Sequence, residues 1–442
     1  MGGNMEHSYR RMIAAVAVSV LVSLLSAGIA SAAGFALIEQ SVSGLGTAYS
    51  GGAAIAEDAS TIYYNPAGLT QLNGSQVVGG VHVIVPSAKF HNEGSTHATG
   101  ALLRGDDGGE AGKATPIPNV YFSTRLTDRM AVGLGINAPF GLQTEYDSGW
   151  VGRYHAIKSE LITININPSV AYKVTDQFSA GAGLNAQYVK ATLTNAIDFG
   201  SFLRNPQGAD GLVKLSGDSW GFGFNLGLLY EFTPQTRAGI AYRSKVKQQL
   251  SGDAEFSGVP APIAAGSPAF KNCPISALID LPASASASFV HQFDSHWTVM
   301  TDVTWTEWQS FNELRIHFSN PSQPDAVVTT NWRNTLRYSL GAQYALDNRW
   351  TLKTGIAYDK TPIRSDQYRT PRIPDNSRFW TSLGAKYRLS NSVNIDAGYA
   401  HLFVSDPKVD KAAVGEDASR GGLKGYWDAN VNIASIQLTV LF

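Results

Sequence analysis

The chain has 442 residues, a formal net charge of −1 and 44% hydrophobic residues, yet only 16% of its residues are charged. Soluble proteins average about 25% charged, so this composition points towards a membrane. Mean hydropathy is nevertheless only −0.09. Beyond residue 30 no run of about 18 apolar residues occurs, which excludes spanning helices there. The near-neutral charge gives no support for nucleic-acid binding. Cys273 is the single cysteine, which excludes an intramolecular disulfide and a cysteine-based metal cluster.

Arg10 and Arg11 precede a mostly apolar stretch from Met12 to Ala27, and Ala30-Ser31-Ala32 follows. This reads as a secretory signal peptide over residues 1–32, cleaved after Ala32; a single membrane anchor is the other reading. Residues 33–75 are rich in small residues and do not read as a strand pair. They form a compact segment able to plug a lumen. Asn65 before Pro66 is biased away from helix, so a tight turn is expected at Asn65-Pro66-Ala67-Gly68. An ordinary surface turn is the plainer reading.

From residue 76 the chain is strand-like. Six short polar turns recur, centred on Asp128, Asp176, Pro234, Ser295, Asn348 and Asn391, at spacings of 48, 58, 61, 53 and 43 residues. Between them lie seven longer loops, near residues 91–115, 147–157, 196–217, 256–277, 319–331, 362–376 and 405–425. Seven long loops alternating with six short turns predict fourteen strands. Short turns on one side and long loops on the other are the pattern of an outer-membrane barrel. A propeller has a similar repeat length but does not explain that asymmetry.

Alternation assigns the faces. Trp220, Phe222, Phe224, Leu226, Leu228 and Tyr230 share one face, and Gly221, Gly223, Asn225 and Gly227 the other. Trp332, Leu336, Tyr338 and Leu340 oppose Arg333, Thr335 and Arg337. By the same parity Arg243, Lys245, Lys353, Asp302, Glu231 and Asp396 face the lumen, whereas Lys190 faces outward. Lipid is the simplest cover for the apolar face, and barrel closure satisfies every backbone group. The final strand ends in Phe442, the type of signal read by barrel assembly machinery. In the third strand, Met130–Tyr146, the run Asn137-Ala138-Pro139-Phe140-Gly141 predicts a break, because proline donates no ladder bond and glycine weakens a strand.

Several stretches resemble the long-chain fatty acid and aromatic hydrocarbon outer-membrane transporter family. They include Ala33-Gly34-Phe35, Ser43-Gly44-Leu45-Gly46, Asn65-Pro66-Ala67, Tyr242-Arg243-Ser244-Lys245 and Ile373-Pro374-Asp375-Asn376-Ser377-Arg378-Phe379-Trp380. The resemblance implies an all-β fold of about fourteen strands, with residues 33–75 as an N-terminal hatch and residues 76–442 as the barrel. It implies passive uptake of hydrophobic molecules: long-chain fatty acids, alkanes or monoaromatics. Capture is by extracellular loops, the hatch rearranges, and the ligand leaves sideways at Asn137–Gly141; a harmless bulge is the alternative there.

Arg333 aligns by resemblance with a basic residue of the inner pocket. Arg333 and Arg337 are the candidate ligand-binding residues; a lumenal ion-pair network is their plainer role. A second basic position of the family falls at Asn195, which leaves neutral hydrocarbons open. The apolar run Val259–Ala265 reads as part of a capture groove or as a linker. A monomer in the bacterial outer membrane without cofactor is expected, and the nine histidines show no ligand spacing, so no metal site is expected. A polar-solute porin and an outer-membrane lipase are the alternatives. No nucleophile motif accompanies His155, His291, His317 or His401, so no catalytic residue is expected.

Overall fold

The computed structural model describes residues 34–442. The expected signal peptide lies outside the described residues. Fourteen antiparallel strands form the wall. They are β1 (Ser75–Asn92), β2 (Thr115–Arg125), β3 (Met130–Asn137 and Gly141–Glu145), β4 (Lys158–Lys173), β5 (Phe178–Asp198), β6 (Asp210–Thr233) and β7 (Thr236–Arg243 and Val246–Ser257). They continue as β8 (Cys273–Leu281 and Ser284–Gln292), β9 (Trp297–Thr306 and Glu313–Phe318), β10 (Ala326–Thr329 and Thr335–Ala345), β11 (Trp350–Asp359), β12 (Arg378–Ser390), β13 (Val393–Val404) and β14 (Leu423–Leu441). Each pairs with the next, and β14 pairs with β1 from Gln76↔Leu441 to Asn92↔Gly425, which closes the barrel. A closed barrel leaves no open sheet edge to face lipid.

The short turns repeat because one device repeats. Asp294 accepts from the N–H groups of His296 and Trp297, and Asp347 accepts likewise from Arg349 and Trp350. Thr127 and Thr175 do the same through their hydroxyls. Side chains that bond backbone two or three residues onward suit tight hairpin turns. Three long loops are shorter than expected: β5 runs to Asp198 and β6 starts at Asp210, β7 runs to Ser257 and β8 starts at Cys273, and β10 already starts at Ala326.

The outer face carries the exposed apolar side chains, among them Phe222, Leu226 and Leu340. Two face assignments differ from simple parity. Trp332 is fully buried in the interior, because residues 330–334 leave the strand and Asn331 adopts φ 45°. Lys245 lies on the outer side, paired to Asp280 at 3.1 Å. Ser244 and Lys245 interrupt β7 and shift its alternation.

The hatch fills the lumen with three short helices, α1 (Val42–Leu45), α2 (Gly52–Ile55) and α3 (Thr61–Tyr64), and a 3₁₀ turn at Pro66–Gln71. Asn65 caps that turn by accepting from Ala67 N–H at 3.0 Å. Its amide donates to Ala53 O at 2.6 Å and to Leu228 O of β6 at 2.9 Å. A Cβ on Gly227 would lie 1.8 Å from Asn65 Oδ1, and one on Gly239 1.8 Å from Ala53 O. Glycine on the inner wall therefore lets the hatch touch the barrel backbone.

Candidate ligand-binding and exit site

Two of the cavities in the barrel lie one above the other. The upper, on the long-loop side, has a volume of about 80 Å³. Leu161, Leu193, Leu215, Leu250, Ile279 and Ile316 line it. These are inward residues of β4 to β9, so strand alternation builds the apolar wall. Two charged groups touch it, Arg372 and Glu160. Glu160 pairs with Lys158 at 3.5 Å.

Arg372 comes from the loop after β11 and is 7% exposed. Tyr146 OH donates to Pro371 O at 2.9 Å and Thr144 Oγ1 to Arg372 O at 3.1 Å, which ties the loop inward. The guanidinium donates to Lys158 O, Ser159 Oγ, Thr194 O and Asn195 Oδ1, at 3.1 to 3.5 Å. All four acceptors are neutral. Burial, with Arg420 adding to it, pulls its pKa down to about 9. Sequence parity missed Arg372 because it sits in a loop. The available signal was an arginine held between two prolines, Pro371 and Pro374.

Phe35 divides the cavities. Its ring lies 4.9 Å from Trp308, 5.2 Å from Phe311 and 5.8 Å from Trp332, centroid to centroid. The lower cavity has a volume of about 120 Å³. Hatch residues Leu37, Ile38, Tyr63 and Tyr64 face it from one side, and Arg243, Arg337 and Asp359 from the wall. Arg337 donates to Ala48 O at 2.9 Å and stands 5.0 Å from the Trp380 ring centroid. Arg333 lines neither cavity; its N–H donates to Pro362 O at 3.0 Å. The two candidate arginines are thus not brought together at one pocket. Glu39 of the hatch is buried nearby, and burial pushes its carboxyl up to about 7.

The break in β3 opens a window in the wall. Ala138, Pro139 and Phe140 stand opposite only Thr163 and Ile164 of β4, since Asn137 pairs Asn165 and Gly141 pairs Ile162. That one extra residue is a bulge. It flips the alternation, so Asn137 faces inward before it and Phe140 and Leu142 after it. The β2–β3 ladder stops at Val120↔Ile136. Pairing between the two sides resumes only at the Gly112↔Thr144 bridge. Pro116 and Pro118 of β2 border the gap, and proline is suited to an unpaired edge. They are a second readable signal that strand pattern alone did not single out.

The hatch fills this window. Leu37 N–H donates to Pro139 O and Gly141 N–H to Phe35 O, both at 2.8 Å. Gln40 Nε2 donates to Ala138 O at 2.8 Å. Residues 35–37 thus act as a short strand for the backbone groups that the bulge strands without partners. Elsewhere the hatch is held by charge. Glu57 pairs with Lys353 at 2.9 Å and with Lys386, while Lys353 also bonds Ser43 O and Asp396.

His82 Nδ1 lies 2.7 Å from Ser435 Oγ. His82 is fully buried, and its Nε2 has no protein partner to orient it. The pair does not make a catalytic triad.

A plugged fourteen-stranded barrel matches a known group of proteins. A family model for outer membrane protein transport proteins (OMPP1/FadL/TodX) matches residues 23–442. The chain belongs to this family. The long-chain fatty acid transport protein of Escherichia coli O157:H7 is 30% identical, over 91% of this chain and 95% of that protein. The 47 kDa outer membrane protein of Pasteurella multocida (strain Pm70) is 36% identical, over 87% and 91% respectively. The crystal structure of a Pseudomonas aeruginosa FadL homologue superposes with a TM-score of 0.87 at 27% identity, covering 93% of this chain and 100% of that one. FadL/TodX proteins transport hydrophobic compounds across the outer membrane. This chain is accordingly an outer-membrane transporter and not an enzyme.

Proposed function

We propose that the chain takes up long-chain fatty acids or related hydrocarbons by passive diffusion, with lateral exit through the β3 window. The extracellular loops, including Val259–Ala265, collect the ligand. The upper cavity receives its apolar tail, where burial contributes about 0.8 kcal/mol per methylene. The Asn65-Pro66-Ala67 turn anchors the hatch floor while residues 35–40 move. Displacing Phe35 joins the two cavities, and Arg337 meets the ligand in the lower one. Release of residues 35–37 from Pro139 and Gly141 opens the way to the outer-membrane lipid. The observation that carries this reading is the hatch segment paired to the broken strand: one movement clears both the passage and the window. The protein works as a monomer, and its Phe442-ended strand is the handle for the barrel assembly machinery.

The test compares uptake with conductance. Cells carrying the protein should accumulate a long-chain acid, and planar bilayers should carry no large steady ion current. A large steady current would support the polar-solute porin instead. Serine-dependent phospholipid hydrolysis by the purified protein would support the lipase.

A further inference from the structure

One stretch of the outer wall is polar where lipid-facing side chains should be apolar. Tyr399 and His401 on β13 flank the buried Ala400, and Asn430 and Asn432 on β14 flank the buried Val431, so all four point outward. Asn432 Oδ1 accepts from Tyr399 Oη at 2.6 Å and lies 2.9 Å from His401 Nδ1. Its amide donates to Asn430 Oδ1 at 3.4 Å. With Nδ1–H given to Asn432, His401 Nε2 is left as an acceptor, and the Asn430 amide as a donor. Neither has a protein partner among the described residues.

Register fixes their depth. Tyr387 packs 4.6 Å from Trp350, centroid to centroid, at the short-turn edge of the wall. Tyr387 pairs with Ile395 of β13, and Ile395 with Leu438 of β14. A strand tilted by about 40° climbs about 2.5 Å per residue, and the apolar band of such a barrel is about 25 Å tall. Asp428 and its cross-strand partner Lys89 on β1, both exposed, fall at about that height. His401 and Asn432 lie about 10 Å below them, inside the band. The exposed Val83, Val85, Leu383 and Ile436 surround them. Polar groups facing hydrocarbon are costly unless a partner bonds them.

We propose that this face of β13, β14 and β1 docks one glycolipid of the outer leaflet, a phosphorylated saccharide carrying amide-linked hydroxyacyl chains. The fit follows depth. At the edge Lys89 meets phosphate, and Asp428 accepts from sugar hydroxyls. Further down, a chain hydroxyl or linkage amide donates to His401 Nε2, and the carbonyls accept from Asn430. Val83, Val85 and Ile436 take the chains. A glycerophospholipid carries only ester acceptors at that depth and leaves His401 unmatched.

Delipidated full-length protein in detergent is titrated with two lipids, and native mass spectrometry counts those bound. One is a bisphosphorylated glucosamine disaccharide with 3-hydroxyacyl amides, the other phosphatidylglycerol. Wild type should hold one glycolipid and prefer it at least tenfold. Replacing His401→Leu together with Asn432→Leu should cut glycolipid affinity about tenfold, the scale of one or two lost neutral hydrogen bonds. Phosphatidylglycerol affinity should stay within about twofold. Leucine suits a lipid-facing site, and heat-modifiable migration on gels checks that the barrel is folded. Wild type that binds both lipids equally, or neither, would overturn the proposal, as would undiminished glycolipid binding by the variant. A wild-type dimer that the double variant dissociates would replace the glycolipid by a second copy of the chain.

Discussion

Oxidising a cysteine pair at Ala36→Cys and Phe140→Cys is expected to stop uptake, and reducing it to restore uptake. The two residues face each other across the isolated bridge between hatch and β3. The flanking bonds run from Leu37 N–H to Pro139 O and from Gly141 N–H to Phe35 O. Ala36 and Phe140 are therefore a non-hydrogen-bonded antiparallel pair, with Cα atoms about 4.5 Å apart. That separation falls within the range a disulfide spans. The staple would hold residues 35–37 in the window and keep Phe35 between the cavities. Cys273 is the only native thiol and lies far from this bridge in the chain, so a Cys273→Ala background isolates the effect. The readout is accumulation of a fluorescent long-chain acid by cells, before and after oxidation and again after reductant. Binding to the purified protein should survive oxidation, since the upper cavity lies on the long-loop side of Phe35. Undiminished uptake by fully oxidised protein would remove this window as the exit. A loss that reductant does not reverse would trace to replacement of the Phe140 ring and not to the latch.

The sequence revealed this barrel wherever the controlling interaction is local. Turn side chains such as Asp294 and Asp347 bond backbone two and three residues away, so the turns repeat visibly. Alternation from Trp220 to Tyr230 follows from strand geometry alone. The break at Ala138-Pro139-Phe140 was also readable, because proline carries its ladder defect wherever it sits. Readability ended where the chain leaves the strand. Parity put Trp332 on the lipid face, but the irregular stretch at 330–334 turns it in beside Phe35. The same error placed Lys245 in the lumen, two residues after Arg243, where β7 is interrupted. Arg372 lay outside any periodic rule, since contacts from Thr144 and Tyr146, more than two hundred residues earlier, bring it to the cavity. Arg333 is the opposite case. Its assignment came from resemblance, and the irregular stretch at 330–334 leaves it lining neither cavity.

Replacing Glu57 by glutamine is expected to loosen the hatch without opening the window first. Glu57 is the hatch carboxylate that two wall lysines share, Lys353 on β11 and Lys386 on β12. Burial works against its charge, but the two ammonium groups outweigh burial and hold its carboxyl well below the usual range. A glutamate whose folded pKa is depressed contributes stability above its unfolded value, near 4.5, and loses it as pH falls through the folded value. At neutral pH the contribution is therefore complete, and Glu57→Gln removes it. Lys353 keeps Asp396 at 3.1 Å, which limits the damage on its side. Losing charged hydrogen bonds of this kind costs about 2 kcal/mol, or roughly a thirtyfold increase in hatch opening. Amide hydrogen exchange should read this between Ser43 and Asp58 at pH 7, while barrel strands keep their protection. Leu37 and Gly141 should stay protected, because their bonds lie at the other end of the hatch. In strongly acidic solution wild type and variant should converge. Equal protection of Ser43–Asp58 in both proteins at pH 7 would mean that packing against the glycine-lined wall, and not this charge cluster, holds the plug.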